Sequence, residues 1–321
     1  VCARIARHEL IAAECDALFG GRPDLDGVAT VDTTARIGRA AYAQTAIDVI
    51  ASAEDLTGLV ERVAASEFDA DRFRIDVHDP SDRIGTESAD TARRLADVIE
   101  FGPDLSDPLH RFVVLATDAG LTFGKVTGRT DASHRPHESK PWTTSSSLEP
   151  RLSRALVNLV PEARSILDPC WGAGSSVLEA AALGLGAYGV DDKAAMVGMT
   201  RENLSAYGYD ARDQVDVMRA DSRVFDGVRV DAVVTDLPYG HAIEGDERVV
   251  RAILERCGSL APAGVFVAHR DISSWLVDAG HRVDAVHTVV KRRGFTRFVH
   301  VTTSVTHDGK TSLRIGTARI G

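Results

Sequence analysis

The run Asp236-Leu237-Pro238-Tyr239-Gly240 places a carboxylate, a rigid turn and an aromatic ring directly after the apolar stretch Val230–Thr235. An exocyclic amine on a heterocyclic base is a poor nucleophile, because its lone pair is delocalised into the ring. A carboxylate and a neighbouring backbone carbonyl that both accept its N–H groups bias the nitrogen toward tetrahedral geometry and take up developing positive charge. Pro238 fixes the turn that aims the Leu237 carbonyl, and Tyr239 offers a ring on which an extruded base can stack. A plain strand-ending turn accounts for Pro238 and Gly240 but not for their combination with Asp236 and Tyr239. Asp236, Leu237, Pro238 and Tyr239 are therefore the candidate catalytic residues.

A second constellation lies upstream, in Asp168-Pro169-Cys170-Trp171-Gly172-Ala173-Gly174. Two glycines between a strand and a helix let the backbone approach a ligand closely, and the following helix offers unpaired N–H groups. Seventeen residues beyond Gly174, Asp191 ends the next strand, where a carboxylate can accept from both hydroxyls of a ribose. Asp221-Ser222 at the third strand end can accept from an adenine amino group. Asp168, Cys170, Gly172, Gly174, Asp191, Asp192, Asp221 and Ser222 are thus the candidate cofactor contacts. A tight βα turn followed by a solvated acidic strand end is the simpler account of the glycines alone; the later carboxylates argue against it. No lysine follows the glycines in Walker fashion, so an NTPase is not expected.

Basic residues gather in few places. Lys291, Arg292, Arg293 and Arg297, with Phe295 among them, lie between the last two strands, where phosphate contact or a solvated hairpin tip fits equally well. Arg135 and Lys140 in a polar segment, and Arg72, Arg74 and Arg129, are further phosphate candidates. His134 and His137 form the one close histidine pair and lack a third ligand, so no metal is expected. His241 follows the Asp236 motif and reads equally as a substrate contact or a loop residue.

These residues need a scaffold, and the pattern supplies one. From Leu148 onward helices alternate with short apolar strands: Leu148–Val160 helix, Ser165–Asp168 strand, Ser175–Leu183 helix, Ala187–Asp191 strand and Lys193–Tyr207 helix. Strands at Val215–Arg219 and Val230–Asp236, a helix at Glu247–Leu260, a strand at Val265–His269 and a helix at Ile272–Ala279 follow. Such alternation implies a doubly wound parallel sheet, and the closing runs Val283–Val290 and Arg297–Val305, with no helix between them, imply a terminal antiparallel hairpin. Residues before about 130 read as small α+β units: helices at Glu9–Phe19, Asp55–Phe68 and Thr86–Phe101, and strands at Phe73–Val77, Arg111–Ala116 and Leu121–Val126. The tail after Thr306 reads as peripheral.

Composition narrows the function classes. The chain has 321 residues, 44% apolar and 26% charged, and no apolar run near the length of a membrane span. Four cysteines without a C-x-x-C pair offer neither a disulfide scaffold nor a zinc ribbon. The net charge of −10 argues against a generally basic nucleic-acid binder. Of 37 basic residues only five are Lys, leaving 32 Arg, so a polyanion must be held by local arginine clusters. With no secretory leader evident, the cytoplasm is expected.

The region 141–303 resembles class I S-adenosylmethionine-dependent methyltransferases with a D/N-P-P-Y type motif. Pro141-Trp142, the helix Arg151–Leu159 and the Asp168 loop are similar to archaeal and eukaryotic tRNA guanosine N2-methyltransferases that carry an N-terminal THUMP domain. Arg94-Leu95, Phe101–Leu105 and Phe112–Leu115 resemble the THUMP part. The resemblance implies a Rossmann-like seven-stranded domain at 148–321, a ferredoxin-like leader at 1–50, a THUMP-like RNA-binding domain at 51–128 and a linker at 129–147. It further implies S-adenosylmethionine as cofactor and tRNA as substrate with guanosine 10 as target; the sequence leaves the oligomeric state open, with a monomer favoured. Methylation of guanosine 6, adenine-N6 methylation of DNA or RNA, and an inactive tRNA-binding protein are the alternatives. Three departures stand out: Leu237 where the family usually has a second Pro, Cys170-Trp171-Gly172-Ala173 in the cofactor loop, and Thr143–Leu148 in place of F-H-P-G-S-M. Leu at position 237 is commoner in the relatives that modify position 6.

Overall fold

The computed structural model describes residues 2–3, 9–80, 82–145, 147–238, 245–292 and 295–305, with the backbone alone at 2–3, 245–246 and 291–292. The chain divides into two compact units: Val1–Ile5, Arg22–Gly38 and Ala43–Thr130 form one, and Ala6–Gly21, Arg39–Tyr42 and Asp131–Gly321 form the other. The expected leader at 1–50 is therefore shared between them. Strand β1 (Cys2–Ala3) belongs to the first unit, whereas helix α1 (Glu9–Phe19) belongs to the second. The reason is a buried carboxylate. Glu14 of α1 accepts from the N–H groups of Ala41 and Tyr42 and from Asn158 Nδ2, all within the second unit.

The first unit is built on strands β2 (Ala43–Ala53), β3 (Phe73–His78), β4 (His110–Thr117) and β5 (Gly120–Arg129), with helices α2 (Leu56–Ala64) and α3 (Ser88–Ala96). With β1 they make a five-stranded sheet in the order β1-β2-β5-β4-β3, in which only β3 and β4 run parallel. The alternation Phe73-Arg74-Ile75-Asp76-Val77 turns Phe73 and Ile75 into a core shared with Leu59, Leu95, Phe112 and Phe123. The side chain of Asp55 caps α2 by accepting from the Gly58 N–H at 2.8 Å. Helix α3 is shorter than the periodicity implies. Val98 and Ile99 bond three residues back, to Leu95 and Ala96, so the chain tightens into turns there.

The second unit carries the expected doubly wound sheet. Its strands are β6 (Ser165–Asp168), β7 (Gly186–Asp191), β8 (Val215–Arg219), β9 (Ala232–Asp236), β10 (Ala263–Ala268), β11 (His281–Arg292) and β12 (Phe295–Ser304). They are ordered β11-β12-β10-β9-β6-β7-β8; β12 pairs antiparallel with both β10 and β11, so it alone runs against the other six. Strands β6, β9 and β10 read as continuous apolar runs because helices cover both faces. Those helices are α4 (Pro150–Asn158), α5 (Ser175–Ala182), α6 (Ala194–Ala206), α7 (Gly245–Leu260) and α8 (Ser273–Asp278). The order reverses between β6 and β9, the point at which open α/β sheets leave a crevice beyond the strand ends.

The expected linker at 129–147 is largely folded into the second unit. His134, His137 and Lys140 are buried, and residues 135–139 form a 3-10 helix. Among the described residues no helix is long and apolar enough to cross a membrane.

Candidate active site

Four carboxylates stand at or just beyond the carboxyl ends of four adjacent parallel strands: Asp236 on β9, Asp168 on β6, Asp191 on β7 and Asp221 after β8. All four line one cavity of about 690 Å³ within the second unit, together with Cys170, Trp171, Gly172, Ser222, Leu237 and Pro238. The two constellations read separately in the sequence therefore open into the same space. Parallel pairing is the cause, since it brings every strand's loop to the same end of the sheet.

The glycine loop is held by contacts that only Gly permits. Gly174 adopts φ +77°, and a Cβ there would lie 2.4 Å from Thr200 Cγ2. Gly172 also has a positive φ, +53°, and nothing stands within 4 Å of its Cβ direction, so its backbone faces open space. Trp171 takes its place through Gly189 of β7: a Cβ at 189 would lie 1.4 Å from the indole. The unusual Trp171 is thus a buried packing residue at the cavity wall.

Each carboxylate has its own environment. Burial pushes Asp168 up to about 6, against the hydroxyl of Thr235, which donates to it at 2.7 Å, and the N–H of Cys170. Burial likewise raises Asp191, opposed by the N–H groups of Lys193 and Gly172. Asp221 is held down by Arg223, whose guanidinium meets both carboxylate oxygens, with Nη2 2.6 Å from Oδ2. Burial drives the Cys170 thiol well above its usual range, so it is no thiolate nucleophile. Asp192 is exposed on the rim, and Ser222 Oγ donates to the Pro169 carbonyl, tying the Asp221 turn to the glycine loop.

Leu237 makes use of its departure from proline. Its N–H donates to the Val267 carbonyl at 2.9 Å, extending the β9–β10 ladder by a bond that a proline could not form. Its side chain is buried among Val233, Ile253 and Leu254. Rigidity that a second ring would supply comes here from the sheet. Pro238 is exposed. Tyr239, His241 and Arg293 lie outside the described residues, as do the side chains of Lys291 and Arg292.

Two of the expected phosphate contacts sit in the interior instead. Lys140 is buried and donates through Nζ to Ser175 Oγ at 2.5 Å, and burial lowers its pKa to about 8. Arg297 is 2% exposed, with Nη2 3.9 Å from Asp236 Oδ2. The basic hairpin run suggested a solvated cluster, but Arg297 falls on the inward face of β12 with Val299 and Val301. Arg135 is exposed.

The sequence reading missed residues that hold the loops. Asn203 of α6 is buried; its Oδ1 accepts from the Trp142 N–H and its Nδ2 donates to the carbonyls of Trp142 and Ala173. It thereby pins the segment before α4 against the glycine loop. Thr200, three residues earlier on the same face, donates to the Gly172 carbonyl. Two buried polar residues at i and i+3 on a core-facing helix stripe were the available signal.

Comparison with known proteins gives this geometry a family. Residues 138–308 match the model described as UPF0020: RMKL-like, methyltransferase domain. A tRNA (guanine(10)-N2)-dimethyltransferase of Methanothermobacter thermautotrophicus is 30% identical over 285 residues, covering 82% of this chain and 83% of its own. One of the same description from Pyrococcus abyssi is 35% identical over 141 residues, 42% of each chain. The crystal structure of TrmN from Thermus thermophilus covers 82% of each chain at 23% identity and a TM-score of 0.44. The chain belongs to the RMKL-like methyltransferase-domain family.

Proposed function

We propose that this protein transfers a methyl group from S-adenosylmethionine to the exocyclic N2 of a guanosine in tRNA, at position 10. The observation that carries the reading is the opening of the Asp236-Leu237-Pro238 turn into the same cavity as the glycine loop and the Asp191 and Asp221 carboxylates. The names of the two curated relatives support guanine 10 as the target.

The residues present fit the cofactor. The cavity is of ligand size, the Gly172 backbone faces open space, and acidic groups line the wall where a cationic amino acid and a ribose must be held. Gly172 and Cys170 would cradle it, with Gly174, which does not line the cavity, shaping the turn behind them; Asp168 would face its ammonium group, Asp191 with Asp192 its ribose hydroxyls, and Asp221 with Ser222 its adenine. When bound, S-adenosylmethionine supplies an electrophilic methyl group on a sulfonium centre. Asp236 and the Leu237 carbonyl accept the N–H groups of the guanine amine and orient its lone pair, while Tyr239 stacks on the base. Neither a covalent enzyme intermediate nor a thiolate is required.

The first unit serves as the RNA-binding module, in keeping with its THUMP resemblance. Arg74, Arg111 and Arg129, from three adjacent strands, converge on Asp76 at 2.8, 3.8 and 3.3 Å. Three guanidinium groups on one carboxylate leave positive charge in excess on an acidic protein, which suits a phosphate backbone. We place the reaction in the cytoplasm, on a monomer.

Methyl transfer from labelled S-adenosylmethionine to unmodified tRNA transcripts, with guanosine 10 and guanosine 6 replaced separately, tests the reading. Loss of label with the first replacement alone is expected. Loss with the second alone would move the target to position 6, and no incorporation into any tRNA would overturn the substrate assignment.

A further inference from the structure

We infer that Arg297 is a positioning residue for methyl transfer: its guanidinium stands against the Asp236 carboxylate and biases it toward the orientation that accepts the amine. The inference rests on the reading of Asp236 given above and adds to it a residue from a different element.

Asp236 ends β9, and Arg297 sits near the start of β12, with β10 between them in the sheet. Val267 of β10 pairs with Asp236, and the next residue, Ala268, pairs with Phe298. Arg297 must therefore reach across an intervening strand, about 9–10 Å of sheet. Arginine is the side chain long enough to do this and still present a fork of donors. The reach brings Nη2 to 3.9 Å from Asp236 Oδ2, and Cζ lies 5.6 Å from the Phe295 ring centroid.

Burial makes the contact informative. The Arg297 side chain is 2% exposed and that of Asp236 is 16% exposed. With so little water between them, the attraction of guanidinium and carboxylate is weakly screened. The pair at 3.9 Å is one such contact. A phosphate-contact role does not fit a side chain with so little surface. An ionised Asp236 keeps all its oxygen lone pairs as acceptors, which is the state required to receive N–H groups from a neutral amine. Arg297 touches neither base nor cofactor in this scheme; it acts through Asp236.

The test is a double-mutant cycle on the full chain with R297M, R297K, D236N and R297M/D236N. The readouts are kcat and KM for tRNA, the S-adenosylmethionine Kd by calorimetry, and Tm. R297M is expected to lower kcat about 10- to 100-fold, the scale of a misplaced catalytic group, with the cofactor Kd within about twofold. R297K should recover part of the loss, and R297M should add nothing in the D236N background. A full multiplicative loss in that background would overturn the inference. So would an unchanged kcat in R297M, or a loss confined to KM with a shallower salt dependence. If R297M does not fold, R297K carries the same comparison: its kcat must fall with Tm and cofactor Kd preserved, and an unchanged kcat overturns the inference. D236N retaining turnover would instead sink the underlying reading, whereas an inactive D236N beside a fully active R297M sinks the role of Arg297 alone.

Discussion

Two of the cavity's carboxylates, Asp236 and Asp221, each face an arginine. In the enclosed pair, here the floor pair, Arg297 faces Asp236 with side-chain exposures of 2% and 16%; in the open pair, here the rim pair, Arg223 faces Asp221 with 52% and 39%. By distance the rim pair is the better one, at 2.6 Å against 3.9 Å. Burial weighs the other way. Water competes for both partners at the rim and screens their attraction, whereas at the floor there is little water to do so. Short distance measures how well two side chains can meet; burial decides how much depends on their meeting.

That contrast can be broken experimentally. The largest effect is expected at the floor: D236N should lower kcat about 100- to 10,000-fold while S-adenosylmethionine still binds, as read by single-turnover methyl transfer and calorimetry. D221N, its counterpart at the rim, should leave kcat close to wild type and act on the cofactor Kd. Equal kcat losses in both would remove the distinction.

A pH titration sharpens it further. Asp168 is buried at the cavity wall, and burial holds its pKa at about 6. Below that pH a proton must leave before a cationic cofactor can be received. The Kd for S-adenosylmethionine should therefore rise by up to about tenfold for each unit below pH 6, and D168N should flatten the profile. The sign for folding is opposite. A carboxyl whose pKa is raised in the folded state favours folding at low pH, and that advantage is lost as pH rises through about 6.

Smaller effects belong to exposed arginines. Replacing Arg74, Arg111 and Arg129 together should weaken tRNA binding evenly across sequences and flatten the log K against log salt slope by about two to three units. Filter binding at several salt concentrations reads both quantities. An unchanged slope would take this cluster out of the RNA interface. The least effect is expected from R223A, with a change in cofactor Kd below about threefold; a much larger change would mean that Arg223 itself contacts the cofactor.

How far the sequence carried the reading depended on the kind of signal. The alternation of apolar strands and helices after Leu148 located all seven strands of the large sheet, because buried parallel strands and amphipathic helices have different periods. Strand β2 escaped notice. Its residues Ala43–Ala53 are rich in alanine, and two register shifts against β5 break the alternation. The division of the first fifty residues was equally hidden, since it depends on Glu14 finding Ala41, Tyr42 and Asn158 in space.

The sequence by itself determined which residues end the strands: Asp168, Asp191, Asp221 and Asp236 follow their apolar runs, and local periodicity is written in local residue types. Only the tertiary structure decided what surrounds them. Arg297 and Lys140 carry the same charge as surface residues and stand in basic or polar stretches, so nothing local distinguishes them. Their burial comes from the pairing of β12 with β10 and the packing of 131–147 against α5 and α6. Charge is a property of a residue, but the worth of a charge is set by the water that long-range packing removes.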